Sequence, residues 1–278
     1  MTHQTHQITL YGFGYVGQAV FRFLKDHFHI SVYDPVSANK HLVEHPHAFP
    51  LRSDHITPTK FAVICVPTPM KPDGTCDTSI VEQVIRDSAH QYYLIKSTVI
   101  PGTTARLVKE TGKQVAFSPE FIGEGKYHIP HWEGYPHPTD MKSHNFHIFG
   151  GERVVVGEWV GVWQKVAGWA PTYGQTDSTT AEIVKYAENA YLATQKMFFD
   201  QLYEIAKAHG SDYNTVRELL LLDGRVSPAQ SIIYPDSRGF AGKCLPKDIS
   251  GIVKHLESLG HDAHFLKAIL TSNEKFRS

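Results

Sequence analysis

Apolar residues along this chain fall into two textures, one up to about residue 175 and another beyond it. In the first, short apolar runs alternate with amphipathic stretches. Ile8-Thr9-Leu10-Tyr11 is a β-type run, and after it Val16, Val20, Phe21 and Leu24 take helical spacing along one side. His29–Tyr33 predicts a second strand. The run from Phe61 to Val66 is apolar without alternation, as a strand covered on both faces of a parallel sheet must be. Thr78–Ala89 predicts a helix capped by Asp77 or Thr78, Tyr92–Ser97 a strand, Thr104–Thr111 a helix and Gln114–Phe117 a strand. Gly123–Asn145, rich in Gly, Pro, His and aromatics, reads as a long surface loop. His147–Val156 reads as a return to the sheet and Glu158–Ala167 as a helix. From Thr180 to His209 a helical period runs without Pro or Gly, and Asp212–Leu222, Asp248–Leu259 and His264–Phe276 predict three more helices. The expected organisation is a doubly wound α/β domain over 1–175 and an all-helical domain over 176–278.

The first strand leads directly into Gly12-Phe13-Gly14-Tyr15-Val16-Gly17 and then into a helix. Strand, G-x-G-x-x-G and helix in that order form a dinucleotide-binding fingerprint, so the α/β domain is expected to be Rossmann-type. Gly12 allows the turn, Gly14 lets the main chain approach a pyrophosphate, and Gly17 lets helix and strand pack closely. Asp34, ending the second strand, is placed to accept hydrogen bonds from ribose hydroxyls and to repel a 2′-phosphate, which favours NAD over NADP. Pro67-Thr68-Pro69 makes a rigid loop at a strand's carboxyl end, where ligands bind in such sheets.

A second candidate lies in Gly239–Asp248, GFAGKCLPKD. Cys244 precedes a helix that Pro246 helps to start, and Lys243 and Lys247 flank it. A helix N-terminus and two ammonium groups favour thiolate, so Cys244 is a candidate nucleophile against the plainer reading of a buried structural cysteine. Lys185 and Asn189, four apart on the long helix, project from one face. With Glu182 and Ser178 beside them, that face could equally be a solvated one.

Composition removes whole classes of function. The 278 residues carry a net charge of −1, which supplies no global attraction to nucleic acid or an anionic membrane. No apolar stretch approaches the ~20 residues that span a bilayer, and the N-terminus lacks the pattern of a signal peptide. Three cysteines, Cys65, Cys76 and Cys244, are too few for a disulfide framework, which points to a reducing, cytoplasmic setting. Of 18 histidines, His128, His131, His137, His144 and His147 fall close together, but their spacings fit no compact ligand set. No metal is expected, and these histidines read as a polar surface loop.

Taken in order, GFGYVG at 12–17, CVPTP at 65–69, KSTVIPGTT at 96–104, SPEF at 118–121, AEIVKYAENAYLA at 181–193, DGR at 223–225 and GFAGKCLPKD at 239–248 resemble the UDP-glucose/GDP-mannose dehydrogenase family. The resemblance implies NAD-dependent oxidation of the C6 alcohol of a nucleotide sugar to a carboxylate. Under it Cys244 forms a thiohemiacetal and then a thioester, and Lys185 and Asn189 stabilise oxygen charge at C6. Thr98 and Asp248 serve water or proton transfer, and Glu120 assists thioester hydrolysis. It further implies that Gly12, Gly14, Tyr15, Val16, Gly17, Asp34, Thr68, Thr98, Glu124 and Lys247 line the NAD site. Glu120, Phe121, Lys185, Asn189, Arg225, Tyr234, Ser237 and Gly239 would face substrate, Arg225 from across a homodimer made by the helical domain.

Departures from the family pattern are Ala241 for a glycine, Ile122-Gly123 for Leu-Arg or Leu-Lys, Asp200-Gln201 for Asn-Glu, and a longer loop after Gly125. The chain also stops at Ser278, within the helix that leads in the family to a third, UDP-binding domain, so a short form is expected. Two rival functions remain open: a β-hydroxyacid dehydrogenase, which needs no cysteine, and a non-catalytic NAD-binding homologue.

Overall fold

The structure, a computed structural model, describes residues 7–35, 48–50, 58–122 and 140–277, with the main chain alone at 48–50. It divides into two compact units, one of residues 1–69 and 77–185, the other of residues 70–76 and 186–278.

The first unit is built on one sheet whose strands are β1 (Gln7–Tyr11), β2 (His29–Tyr33), β3 (Ala48–Pro50), β4 (Phe61–Ile64), β5 (Tyr92–Ile95), β6 (Gln114–Phe117), β7 (Phe146–Gly150) and β8 (Thr172–Thr176). Their spatial order is 3-2-1-4-5-6-7-8. The first six run parallel, β7 is antiparallel to β6, and β8 is parallel to β7. The apolar run at β4 behaves as its pattern predicts: Phe61, Ala62, Val63 and Ile64 are each 2% exposed or less. One face of the sheet is covered by α1 (Tyr15–Leu24) and α4 (Arg153–Ala167), which bury Phe21, Phe23, Trp159 and Trp163. The Trp159 indole N–H is not left unpaired in that core; it donates to the Tyr93 carbonyl at 3.1 Å. The other face is covered by α2 (Ser79–Asp87), α3 (Thr103–Thr111) and Ala181, in the first turns of α5 (Ser178–Ala208).

The second unit takes in the remainder of α5, then α6 (Tyr213–Leu220), α7 (Leu245–Ser258) and α8 (His264–Arg277). Its core is small, gathered around Ala193, Met197, Phe240, Ile249, Val253 and Ile269. Residues 70–76 form a turn that belongs here, and the Ser250 hydroxyl donates to the Gly74 carbonyl at 3.0 Å.

Several expectations change. The strand expected over His147–Val156 ends at Gly150, and its last residues already belong to α4, which begins at Arg153 rather than Glu158. Val155 and Val156 are buried as helix residues, so an apolar run that suits either element is decided by its packing. β8, with the polar sequence TYGQT, has no apolar signal and was not anticipated. α7 starts three residues before Asp248, which makes Cys244 its N-cap. The surface reading of the histidines fails for two of them. His144 and His147 are 5% and 6% exposed, and His147 lies in β7 beside the rings of Phe23 and Tyr173. Burial pushes the His147 pKa down to about 3. His128, His131 and His137, and residues 123–139 of the loop expected over Gly123–Asn145, lie outside the described residues, while Met141–Ser143 near its end form a 3-10 turn.

Candidate functional site

In the first unit the register of the sheet assembles the candidates. Tyr11 pairs with Tyr33 and Ile64, Ile64 with Ile95, and Ile95 with Phe117. Five parallel strands therefore end together, and the residues that follow them share one carboxyl edge: 12–17, Asp34, 65–68, 96–98 and 118–121. Ligands bind at this edge in open α/β sheets.

The glycine turn has the sterics of a phosphate cradle. Gly12 has φ +86° and its N–H donates to the Tyr33 carbonyl at 2.9 Å. A Cβ there would lie 2.6 Å from the Cys65 carbonyl oxygen, and one on Gly17 would lie 2.1 Å from that of Gly12. On Gly14 a Cβ would meet nothing within 4 Å, so open space stands where a pyrophosphate needs to approach the main chain. Gly14 caps α1 without any side chain occupying that helix end. Asp34 Oδ2 accepts from the Phe13 N–H at 2.5 Å, which fixes its carboxylate beside the turn. These residues fit a bound dinucleotide. Tyr15 is exposed and Val16 half-buried on the first turn of α1, Thr68 is buried and Thr98 half-buried at the same edge. Glu124 lies outside the described residues.

Glu120 is 6% exposed and firmly held. Its Oε1 accepts from the N–H groups of Phe121 and Ile122 at 2.9 and 3.1 Å, and its Oε2 pairs with the Lys96 ammonium at 3.1 Å. Lys96, itself 5% exposed, also donates to Ser118 Oγ and the Pro119 carbonyl, both at 3.2 Å. Sequence reading passed over Lys96; the only signal was a lysine directly after an apolar strand. Phe121 in turn lies beneath the Lys185 ammonium, 5.5 Å from ring centre to Nζ. The solvated alternative for the face of Lys185 is corrected here: Glu182 is fully buried and Ser178 7% exposed. Glu182 accepts from the N–H groups of Gly102 and Thr104 at 2.6 and 2.9 Å and from the Thr104 hydroxyl at 2.6 Å. It caps α3, and burial raises its pKa despite those donors.

The second unit holds the cysteine loop. Cys244 is exposed, whereas Cys65 and Cys76 are buried, and burial pushes the Cys65 thiol far up. Asp248, one turn into α7 and 2% exposed, accepts from Asn189 Nδ2 at 2.5 Å and pairs with the Lys247 ammonium. Asn189 and Asp248, 59 residues apart, are thus brought together, while Lys247 is turned toward its neighbour. Gly239, at φ +70°, donates its N–H to Asp200 Oδ2 at 3.0 Å. Tyr234 and Ser237 are exposed and joined in a turn, Ser237 N–H to Tyr234 carbonyl at 2.9 Å. Arg225 is an exposed side chain whose guanidinium forks onto Asp223 at 2.5–3.1 Å.

The strand order and the glycine turn define a dinucleotide-binding protein of the Rossmann class with a helical second unit. The chain belongs to the UDP-glucose/GDP-mannose dehydrogenase family: residues 49–129 match its NAD binding domain and 179–275 its central domain, together more than half of the sequence. NAD is the cofactor. GDP-mannose 6-dehydrogenase of Azotobacter vinelandii is 27% identical over 249 residues, covering 80% of this chain and 52% of that protein. The chain spans about half the length of the curated relatives it matches. A UDP-glucose dehydrogenase from the archaeon Pyrobaculum islandicum superposes with TM-score 0.79 at 27% identity, over 99% of this chain and 70% of that one. A 3-hydroxyisobutyrate dehydrogenase of Mycobacterium tuberculosis reaches 0.70 over 98% and 94%, but at 14% identity the likeness is one of fold alone. No helix among the described residues is long and apolar enough to cross a membrane.

Proposed function

We propose that this protein oxidises the C6 alcohol of a nucleotide sugar to a carboxylate in two NAD-dependent steps. The observation that carries the reading is Cys244, an exposed thiol at the start of a helix, in a family motif, while the other cysteines are buried. Bound NAD supplies a hydride acceptor for each oxidation. The Gly12–Gly17 turn and the α1 N-terminus hold the pyrophosphate, Asp34 the ribose, and Tyr15, Val16, Thr68, Thr98, Glu124 and Lys247 line the remainder. Phe121, Arg225, Tyr234, Ser237 and Gly239 contact the substrate.

Removing a hydride and a proton from the alcohol gives the aldehyde. The Cys244 thiolate adds to that carbonyl, forming a C–S bond, and the oxygen takes the negative charge beside Lys185 and Asn189. Loss of a second hydride leaves a thioester. Water, positioned by Thr98 and Asp248 with Glu120 assisting, then cleaves the C–S bond to release the carboxylate and restore the thiol. Cytoplasmic residence and the functional division at 175/176 belong to the same proposal.

Incubation with NAD and a panel of UDP- and GDP-sugars tests it: two NADH are expected per sugar oxidised, and none of the uronic acid from Cys244→Ser. One NADH per substrate, with Cys244→Ser fully active, would transfer the protein to the hydroxyacid dehydrogenases whose fold it shares. No NADH from any sugar would leave an NAD-binding homologue without turnover.

A homodimer through α5 is part of the reading. Tyr191, Phe198 and Ile205 are 51–59% exposed and recur every seven residues along that helix, the spacing of a helix–helix seam. Light scattering at micromolar concentration should give twice the 31.3 kDa chain mass, and the mass of one chain would refute the dimer.

A further inference from the structure

The loop before Cys244 is fastened at one point by a cluster of side chains that the chemistry above does not use. Arg238 is laid between two aromatic rings, its guanidinium carbon 4.6 Å from the centre of Tyr203 and 4.7 Å from that of Phe276. Its Nε donates to Asp200 Oδ1 at 2.7 Å, one terminal nitrogen to Glu204 Oε1 at 2.5 Å, and the other to the Asp200 carbonyl at 2.7 Å. Asp200 has no exposed surface, and its Oδ2 takes the Gly239 N–H at 3.0 Å and the Lys196 ammonium at 2.8 Å. The next residue is held from α8: Asn273 Oδ1 accepts the Phe240 N–H at 2.7 Å and Asn273 Nδ2 donates to the Phe240 carbonyl at 3.1 Å. The Phe240 side chain is buried in the core of the unit.

From there Ala241, Gly242, Lys243 and Cys244 are exposed, until α7 begins at Leu245. The far end of this arc is also tied to α5, through Asn189 and Asp248, with the Asp248 N–H closing the first turn onto the Cys244 carbonyl at 2.8 Å. Asn189 and Asp200 are eleven residues apart, so one rigid helix grips both ends of the arc at points about 16 Å apart along its axis.

We propose that Asp200 and Asn273 are positioning residues for Cys244: by clamping 238–240 they hold the exposed arc so that the thiol stays at the N-terminus of α7. The inference rests on Cys244 being the reactive group, and on nothing about the sugar. A thiol kept at that helix end has its thiolate favoured by the first N–H groups, whereas an arc released at 238–240 leaves that position part of the time. Two largely buried cations, Lys196 and Arg238, make the clamp depend on the charge of Asp200 as well as its shape.

The test needs neither substrate nor cofactor. The full-length protein is treated with iodoacetamide at pH 8, and carbamidomethylation of the Cys244 peptide is followed by mass spectrometry. Asp200→Asn and Asn273→Ala should each slow labelling by about fivefold or more. Asp212→Ala, which weakens the same unit at the unrelated cap of α6, should label at the parental rate. If Asp200→Asn does not fold, Asn273→Ala reports on the same clamp from α8. Labelling of both variants at the parental rate or faster, or an equal slowing in Asp212→Ala, overturns the proposal. With an active preparation, kcat should fall in step with labelling while the KM for NAD stays put. Failure of the sugar assay alone, with labelling slowed as expected, would count against the proposed reaction and leave the clamp standing.

Discussion

Two glycine-rich turns, 12–17 and 239–244, are held in place by different forces. The first is held mainly by main chain and shape, with the Asp34 carboxylate accepting one of its N–H groups. Another N–H donates to a neighbouring strand's carbonyl, and Gly12 and Gly17 lie against the carbonyl oxygens of Cys65 and Gly12 with no room for a side chain. The second is held by side chains reaching from α5 and α8, with a fully buried carboxylate between two cations. A turn held by shape is broken by a carbon added at Gly12 or Gly17. A turn held by buried ions depends on the charge of Asp200 as well as on its shape.

The largest effect should come from Gly17→Ala. A Cβ 2.1 Å from a backbone oxygen has nowhere to go, because that oxygen belongs to the turn itself. A loss of about 4 kcal/mol or more is expected, with NAD binding abolished. All four tryptophans, Trp132, Trp159, Trp163 and Trp169, fall in the sequence range of the first unit, so urea unfolding followed by their fluorescence reads it directly. A parental midpoint would mean the turn is not limited by shape.

Asp200→Ala comes next. It strips Lys196 and Arg238 of their shared anion while both are largely buried, 9% and 11% exposed at the side chain. Breaking one partner of such a group costs about 3 kcal/mol, to be read as a lower urea midpoint in far-ultraviolet circular dichroism. A change below about 1 kcal/mol would place the clamp among ordinary surface ion pairs and erase the contrast between the two turns.

The smallest effect per residue is one of pH, and it falls on the first unit. His90 and His147 are buried there, and burial pulls their pKa values down to about 4 and about 3. His90 is held neutral in a network: Thr59 N–H donates to its Nδ1 at 3.0 Å, and Nε2 lies 2.8 Å from the Tyr11 hydroxyl. With folded pKa values below the unfolded one, the unfolded chain binds protons that the folded chain refuses. The stability contributed by neutral imidazole is therefore complete above about pH 6.5 and drains away as pH falls toward 4 and 3. Between pH 8 and pH 5 each histidine should remove about 2 kcal/mol. His90→Gln should flatten the tryptophan-detected dependence by about half. An unaltered slope would show that the network does not hold His90 neutral.

What could be read from the sequence alone was whatever depends on neighbours in the chain. The apolar run at Phe61–Ile64, the helical spacing from Val16 and the strand from His29 to Tyr33 all stand where their patterns put them, because period and propensity act locally. The glycine turn was legible for the same reason: G-x-G-x-x-G describes a steric requirement of the chain itself. Contacts between distant residues decided the rest. β8 exists because β7 offers it a ladder from Phe146↔Thr172 to Gly150↔Thr176; TYGQT has strand-favouring Thr and Tyr but no apolar alternation to mark a strand. Val155 and Val156 are helical because α4 packs on the sheet. Glu120 is tied to Lys96 across 24 positions, and Asp200 to Arg238 across 38. A charge in a sequence carries no mark of its partner; only folding, by burying both, makes the pair obligatory.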